Sequence, residues 1–222
     1  MSERPPIVSF ASTKGGVGKS TLAFVLATAF ARQLPVACID CDPNGTLDTA
    51  LRKFGSPDIM SLSSDAETLL PTLRDAQRTA RLVLIDLEGS ANQAMLYACG
   101  KSDLVLIPAQ PSAFDVREAN KTAGVVRQAA DLVGRQIEIR VVLTRTPVLR
   151  QRVAEHSRSQ FDRAGLPVLP VELVQRTAFQ TMTYTGQPPF VADPGGGAAV
   201  NVEALARAVA DLVGLQTERV AA

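Results

Sequence analysis

The sequence predicts a doubly wound α/β protein, a mostly parallel sheet flanked by helices, on the strength of three observations. Several strand-length runs are mostly apolar, among them those in RLVLIDLEGS and DLVLIPAQPS, which is the pattern of strands covered on both faces. Helix-period segments lie between these runs, so consecutive strands must be joined by right-handed crossovers. The first strand runs into a glycine-rich loop, STKGGVGKST at residues 12–21, that opens the first helix. With 222 residues, 46% of them hydrophobic and 20% charged, the chain can bury a sizeable core. No linker long enough to divide it is visible, and residues 1–222 read as a single domain.

The elements follow in order. PIVSFAS is the first strand, and TLAFVLATAFARQL has the periodicity of a mostly buried helix. VACIDCD is a second strand that ends in acidic residues. LDTALRKFG reads as a short helix closed by glycine, and ETLLPTLRDAQRTA as a helix that Pro71 interrupts or begins. RLVLIDLEGS is a central strand ending at Asp86, and DLVLIPAQPS repeats its form. FDVREANKTAGVVRQAADLVG is the longest helix candidate. IEIRVVLTR, an arginine-rich helix and LPVLPVEL continue the alternation, and VEALARAVADLVGLQ is a terminal helix.

Composition narrows the function classes. The net charge is +1, so contact with nucleic acid would need a local patch rather than a polycationic surface. MSERPPIVSFAS lacks the apolar run of a signal peptide, and no segment approaches the roughly 20 apolar residues of a membrane-spanning helix. A cytoplasmic location is the expectation. Cys38 and Cys41 form a C-x-x-C at the end of an apolar strand, with no second pair and no histidine nearby to complete a ligand set. They read as small buried residues rather than a metal or redox site. The lone histidine, His156, reads as a solvated helix residue with no nucleophile to serve.

A glycine loop between a strand and a helix is the setting for a phosphate cradle, because N–H groups at a helix N-terminus point outward and the helix dipole favours an anion. Gly15, Gly16 and Gly18 allow close approach and unusual backbone angles around Val17. Lys19 would reach the β- and γ-phosphates, and Ser20, followed by Thr21, would place its hydroxyl on Mg²⁺. Asp86 ends a buried strand, the place from which a carboxylate supports Mg²⁺ directly or through water. A helix-capping aspartate is the other reading of that position.

The loop departs from G-x-x-x-x-G-K-[ST], since Thr13 stands at the first glycine and the remainder is K-G-G-V-G-K-S-T. In this form it resembles the loop of the ParA/MinD family of deviant Walker-type ATPases. DCDPNGT at residues 40–46 looks like that family's switch I motif D-x-D-P-Q-G-N, with Asn44 where glutamine is usual. LVLIDLEGS at 82–90 looks like its Walker B strand and switch II, and DLVLIPAQPSAFDV at 103–116 like the strand that follows. The matches cover about the first half of the chain and come in the family's order. The resemblance implies an ATPase using ATP and Mg²⁺ that dimerises around its nucleotides. Lys14 then matches the lysine that crosses to the partner's phosphates; otherwise it is a solvated loop lysine. Asp42 matches the switch I aspartate that orients or accepts a proton from attacking water, and it is a candidate Mg²⁺ residue together with Ser20, Asp40 and Asp86; this leaves Asp40 a supporting Mg²⁺ or structural role. Glu88 stands where small residues or proline are more usual, and either alters water positioning or faces solvent.

The second half carries Arg145, Arg150, Arg152, Arg158, Arg163, Arg176, Arg207 and Arg219. Non-specific contact with double-stranded DNA needs such a cationic surface, doubled in a dimer, and Arg150, Arg152, Arg158, Arg163, Arg176 and Arg207 are the candidates. An ordinary solvated face is the alternative. No helix-turn-helix element precedes the loop, so site specificity and stimulation of hydrolysis would belong to an adaptor protein. The alanine-rich tail lacks the basic amphipathic character of a membrane anchor, which favours the nucleoid over the bilayer. The resemblance is closest to short ParA-type partition ATPases and the VirC-like group, and implies partition or positioning of a cargo. A nucleotide-gated scaffold for DNA transfer or for placing a protein assembly is the alternative.

Overall fold

A computed structural model describes residues 4–148 and 152–216. The elements run β1 (Ile7–Phe10), α1 (Lys19–Phe30), β2 (Val36–Asp40), α2 (Thr46–Phe54), β3 (Ile59–Ser63), α3 (Leu69–Thr79), β4 (Leu82–Asp86) and α4 (Gln93–Lys101). They continue with β5 (Leu104–Ala109), α5 (Ala113–Val133), β6 (Glu138–Thr146), α6 (Arg152–Arg163), β7 (Leu173–Val174), α7 (Thr177–Thr185), α8 (Pro189–Ala192) and α9 (Gly197–Val213). The seven strands form one sheet in the order β3-β2-β4-β1-β5-β6-β7, and each adjacent pair is parallel. The predicted doubly wound α/β class is therefore the observed one.

Alternating strand residues feed two cores. Val8, Phe10, Val36, Cys38, Leu82 and Leu84 face α1, α2 and α7–α9 on one side. Ile7, Ala37, Ile39, Val83 and Ile85 face α3–α6 on the other. This is why the central strands are apolar along most of their length, with Ser9, Asp40 and Asp86 the polar exceptions. Helix α1 is buried nearly all round between the sheet and α2 and α9, and its Thr28 hydroxyl is satisfied by donating to the Phe24 carbonyl. The two cysteines of the C-x-x-C point into different cores, Cys38 on the α1 side and Cys41 on the α3 side. Burial in apolar surroundings pushes the Cys41 thiol up to about 12, and raises that of Cys38 as well, so neither is poised as a thiolate.

Several elements differ from the sequence reading, which has no counterpart of α7 and α8. Strand β3 has no clear signal in the sequence, because IMSLS is a half-exposed edge strand with a weak pattern. Helix α4 is likewise absent from that reading; its start is set by Asn92, whose side chain accepts from the Met95 N–H. LPVLPVEL is not one strand: Val168 makes a single bridge to Val141, and Leu173–Val174 pair with Thr144 and Thr146 of β6 across a register shift. Pro167 and Pro170 remove the backbone donors that a continuous ladder would need.

Candidate functional site

Strand register gathers the candidate residues at one edge. Phe10 of β1, Asp86 of β4 and Asp40 of β2 are paired across three neighbouring strands at their C-terminal ends, where ligands bind in open α/β sheets. From Phe10 the chain enters the glycine loop, where Gly16 (φ 74°) and Gly18 (φ 99°) take left-handed backbone angles that a side chain would strain. The Thr144 hydroxyl of β6 donates to the Val17 carbonyl at 2.8 Å and so pins the loop from the far side. No side chain among the described residues caps α1, whereas α4 and α5 are capped by Asn92 and Ser112. The first N–H groups of α1 thus remain available to an anion lying in the loop.

Lys19, the first residue of α1, is 7% exposed. Burial lowers its pKa, an effect opposed by the nearby carboxylates of Asp86, Asp42 and Glu88. Asp86 is fully buried, and neither of its oxygens has a hydrogen-bond partner of good geometry among the described residues. The Ser20 hydroxyl is still close enough to favour its charged form. Burial pushes the Asp86 carboxyl up to about 7, with Asp40 and Asp42 adding to the rise and Lys19 opposing it. A buried carboxylate without a partner beside a serine hydroxyl fits a hard divalent cation that keeps waters and phosphate oxygens as its other ligands. No cluster of three or more His, Cys, Asp or Glu side chains is arranged for a metal among the described residues.

Asp40 and Asp42 have different surroundings. Asp40 accepts the Asp42 N–H on one oxygen (3.0 Å) and the Asp48 N–H on the other (2.9 Å), fixing the loop and the first turn of α2 together. Its carboxylate is spent on backbone donors. Asp42 lies beyond the strand end, half-buried, and accepts from the backbone and side-chain nitrogens of Asn44 at 2.9 and 2.8 Å. The Asn44 backbone N–H closes an Asx turn on Asp42, and the Asn44 side chain adds a second bond to the same Oδ1, which together aim the Asp42 side chain.

The first half of the glycine loop is tied to α5. Lys14 Nζ donates to both carboxylate oxygens of Asp115, at 3.2 and 3.3 Å, in a pair whose aspartate is 4% and whose lysine is 40% exposed. The Thr13 N–H donates to the Thr122 hydroxyl and its own hydroxyl to Glu118. On the opposite side Gly89 lies against the loop so closely that an added Cβ would come within 3.0 Å of Gly15 N and Cα. Residues 8–190, a span that includes the site just described, match the CobQ/CobB/MinD/ParA nucleotide binding domain.

The chain belongs to this family. It is 31% identical to protein ParA of Rhizobium radiobacter over 185 residues, 82% of this chain and 83% of that one. It is 29% identical to protein virC1 of the same species over 191 residues, 81% of each chain. In fold it resembles an ATP complex of an aspartate-to-alanine variant of Cyanothece McdA, with a TM-score of 0.82 and 17% identity over 97% of this chain and 99% of that one. As a member of the ParA/MinD group the chain carries a nucleotide-binding P-loop domain, and its relatives include a protein ParA and virC1.

Several residues that shape the site in this ParA/MinD-family chain do not stand out in the sequence. A cavity of about 550 Å³ opens beside Gly18 and Thr21, bounded by Thr144, Arg145, Arg176, Phe179 and Tyr184, a size suited to a nucleoside. Arg145 sits there with a positive φ of 52°, uncommon for a residue with a side chain. Asp115 had a readable signal, an acidic residue three after the helix-capping Ser112; Thr144 had none.

The six candidate DNA-contacting arginines do not form one row. Arg150 lies outside the described residues, and of Arg152 only its place in α6 is described. Arg158 is a correction to the open-face expectation, because its guanidinium is held by Glu172 and the Leu169 carbonyl. Arg176 is a second correction: half-buried, it packs against Gly197 at the start of α9. Arg163 and Arg207 are exposed or half-exposed, but α6 and α9 cover opposite faces of the sheet. Among the described residues no helix is long and apolar enough to cross a membrane.

Proposed function

We propose that this chain is an ATPase switch that closes into a homodimer around ATP, and that the dimer binds non-specific double-stranded DNA in order to partition or position a cargo. The observation that carries the reading is the division of labour between two lysines in one loop. Lys19 is buried under the phosphate cradle, while Lys14 reaches outward from it to Asp115 and so is surplus to the phosphates of its own chain. A compact ammonium on a flexible stem can serve a second chain's phosphates as an arginine finger does elsewhere.

In this reading the N–H groups of residues 15–21 and the Lys19 ammonium hold the phosphates, and Ser20 and Asp86 hold Mg²⁺. When bound, the metal neutralises charge on the β- and γ-phosphates. Asp42, aimed by Asn44, orients the attacking water, and Asp40 keeps that loop in place. Lys14, released from Asp115, neutralises charge at the partner's transferred phosphoryl group. Arg163 and Arg207 contact DNA phosphates, and an adaptor protein supplies both site specificity and stimulation, in the cytoplasm on the nucleoid. Likeness to ParA and virC1 supports this setting.

The test is ATP-dependent, salt-sensitive DNA binding by wild type, Lys14→Gln and Asp42→Ala. Asp42→Ala is expected to bind ATP, dimerise and remain on DNA, whereas Lys14→Gln binds ATP within about twofold of wild type yet neither dimerises nor accelerates hydrolysis. Unchanged dimerisation and turnover in Lys14→Gln would refute the switch. Full biological function in a non-hydrolysing Asp42→Ala chain would instead favour a nucleotide-gated scaffold.

A further inference from the structure

Glu88 has no part in the reading above, yet its carboxylate is not idle. One oxygen, Oε2, accepts from the Asn92 side-chain nitrogen at 2.8 Å and from the Ser90 hydroxyl at 3.1 Å. Asn92 in turn uses its own oxygen to cap α4 through the Met95 N–H at 2.9 Å. Between these two residues runs the loop carrying Gly89, whose backbone packs on Gly15 with no room for a side chain. Helix α4 lies against α5, and α5 holds Thr13 and Lys14. Together these interactions close a ring from the phosphate loop through α5 and α4 to Asn92, Glu88, Gly89 and back to Gly15.

We infer that Glu88 is a positioning residue for nucleotide hydrolysis: its carboxylate brackets the loop at residues 88–92 and fixes Gly89 over the phosphate loop. A loop in this place must meet the γ-phosphate, and such segments are ordered or released according to what they contact there. Glu88 sets the loop's shape before the nucleotide arrives. The two hydrogen bonds also turn its charge toward Ser90 and Asn92. The acceptor geometry, not the negative charge, is what the bracket requires.

That distinction gives the test. Glu88→Gln keeps an acceptor oxygen for Ser90 and Asn92, while Glu88→Ala removes it. Losing two hydrogen bonds at a partly exposed site corresponds to about a tenfold effect. Steady-state hydrolysis of Mg-ATP by the full chain is expected to fall about tenfold in Glu88→Ala, with ADP affinity and melting temperature near wild type, and to recover in Glu88→Gln. The rate measurement rests on the ATPase reading, so amide hydrogen exchange across residues 87–93 of the nucleotide-free chain is read in parallel. It should accelerate about tenfold in Glu88→Ala and not in Glu88→Gln. Equal exchange in all three chains overturns the bracket whether or not the chain hydrolyses ATP. Wild-type turnover in Glu88→Ala overturns the positioning role, and a Glu88→Gln chain as slow as Glu88→Ala assigns the effect to charge instead. Absent turnover in wild type, with the exchange pattern as expected, counts against the ATPase reading and leaves the bracket standing.

Discussion

Replacing Asp115 by asparagine should strengthen ATP-dependent dimerisation. In the nucleotide-free chain Lys14 is held by a nearly buried carboxylate at 3.2 and 3.3 Å, longer than the 2.7–2.9 Å usual for a charge-assisted bond. Its side chain is 40% exposed, so water discounts the attraction. The pair then contributes about 1 kcal/mol, between the value of an exposed ion pair and that of a buried bond to a charged group. A dimer that uses Lys14 in trans must break two such pairs, about 2 kcal/mol in all, equivalent to roughly 30-fold in its dissociation constant. Asparagine removes the charge but keeps an oxygen for the Ser112 hydroxyl and leaves the helix cap intact, since the cap is made by the backbone N–H of residue 115. The assay is sedimentation equilibrium with a non-hydrolysable ATP analogue, alongside nucleotide affinity of the monomer. A dissociation constant within twofold of wild type, or a weaker dimer with normal nucleotide affinity, would refute the reasoning.

Three further outcomes follow from the geometry. Asp86 is protonated in the folded chain up to about pH 7 but ionised in the unfolded chain above about pH 4, so its burial costs nothing below pH 4 and costs progressively more up to pH 7. Asp86→Asn should therefore stabilise the nucleotide-free chain at pH 8 and not at pH 4, by at most roughly 4 kcal/mol as read from thermal melts, while abolishing Mg²⁺-dependent tightening of ATP binding; no stabilisation at pH 8 contradicts the burial argument. Gly89→Ala places a Cβ about 3.0 Å from Gly15 backbone that cannot yield as a side chain could. That overlap should cost about 1–3 kcal/mol and weaken ATP binding tenfold or more in a fluorescence titration, and an unaltered affinity would mean the two loops separate freely. Arg163→Glu should lower DNA affinity about equally for unrelated sequences and shallow the salt slope by about 0.9 for each DNA phosphate left without its cation, whereas Arg158→Gln should act mainly on stability through Glu172.

The parallel sheet was legible because its central strands are apolar along most of their length, a pattern that burial on both faces explains, and β4 was read nearly to the residue while the β5 run was read past its end at Ala109. Edge elements were less legible. In β3 half the residues face solvent, and in residues 166–173 proline overrides an apolar run, so pattern and structure part company there. The burial of the cysteine pair was also readable, but not that a strand's two faces send Cys38 and Cys41 into separate cores.

The sequence by itself determined the phosphate loop, its two lysines and the aspartates at the strand ends, because these are short-range facts of spacing within a strand, a loop and a helix. Only the tertiary structure decided what each group leans on. Lys14 meets a carboxylate 101 residues away, Val17 is pinned by a hydroxyl 127 residues away, and Arg158 is turned to Glu172. Such partners are chosen by which strands and helices the fold sets side by side, and no local pattern encodes that choice. Glu88 shows the same division at shorter range: the sequence marked it as an extra carboxylate, and the packing of Gly89 on Gly15 gave that carboxylate something to hold in place.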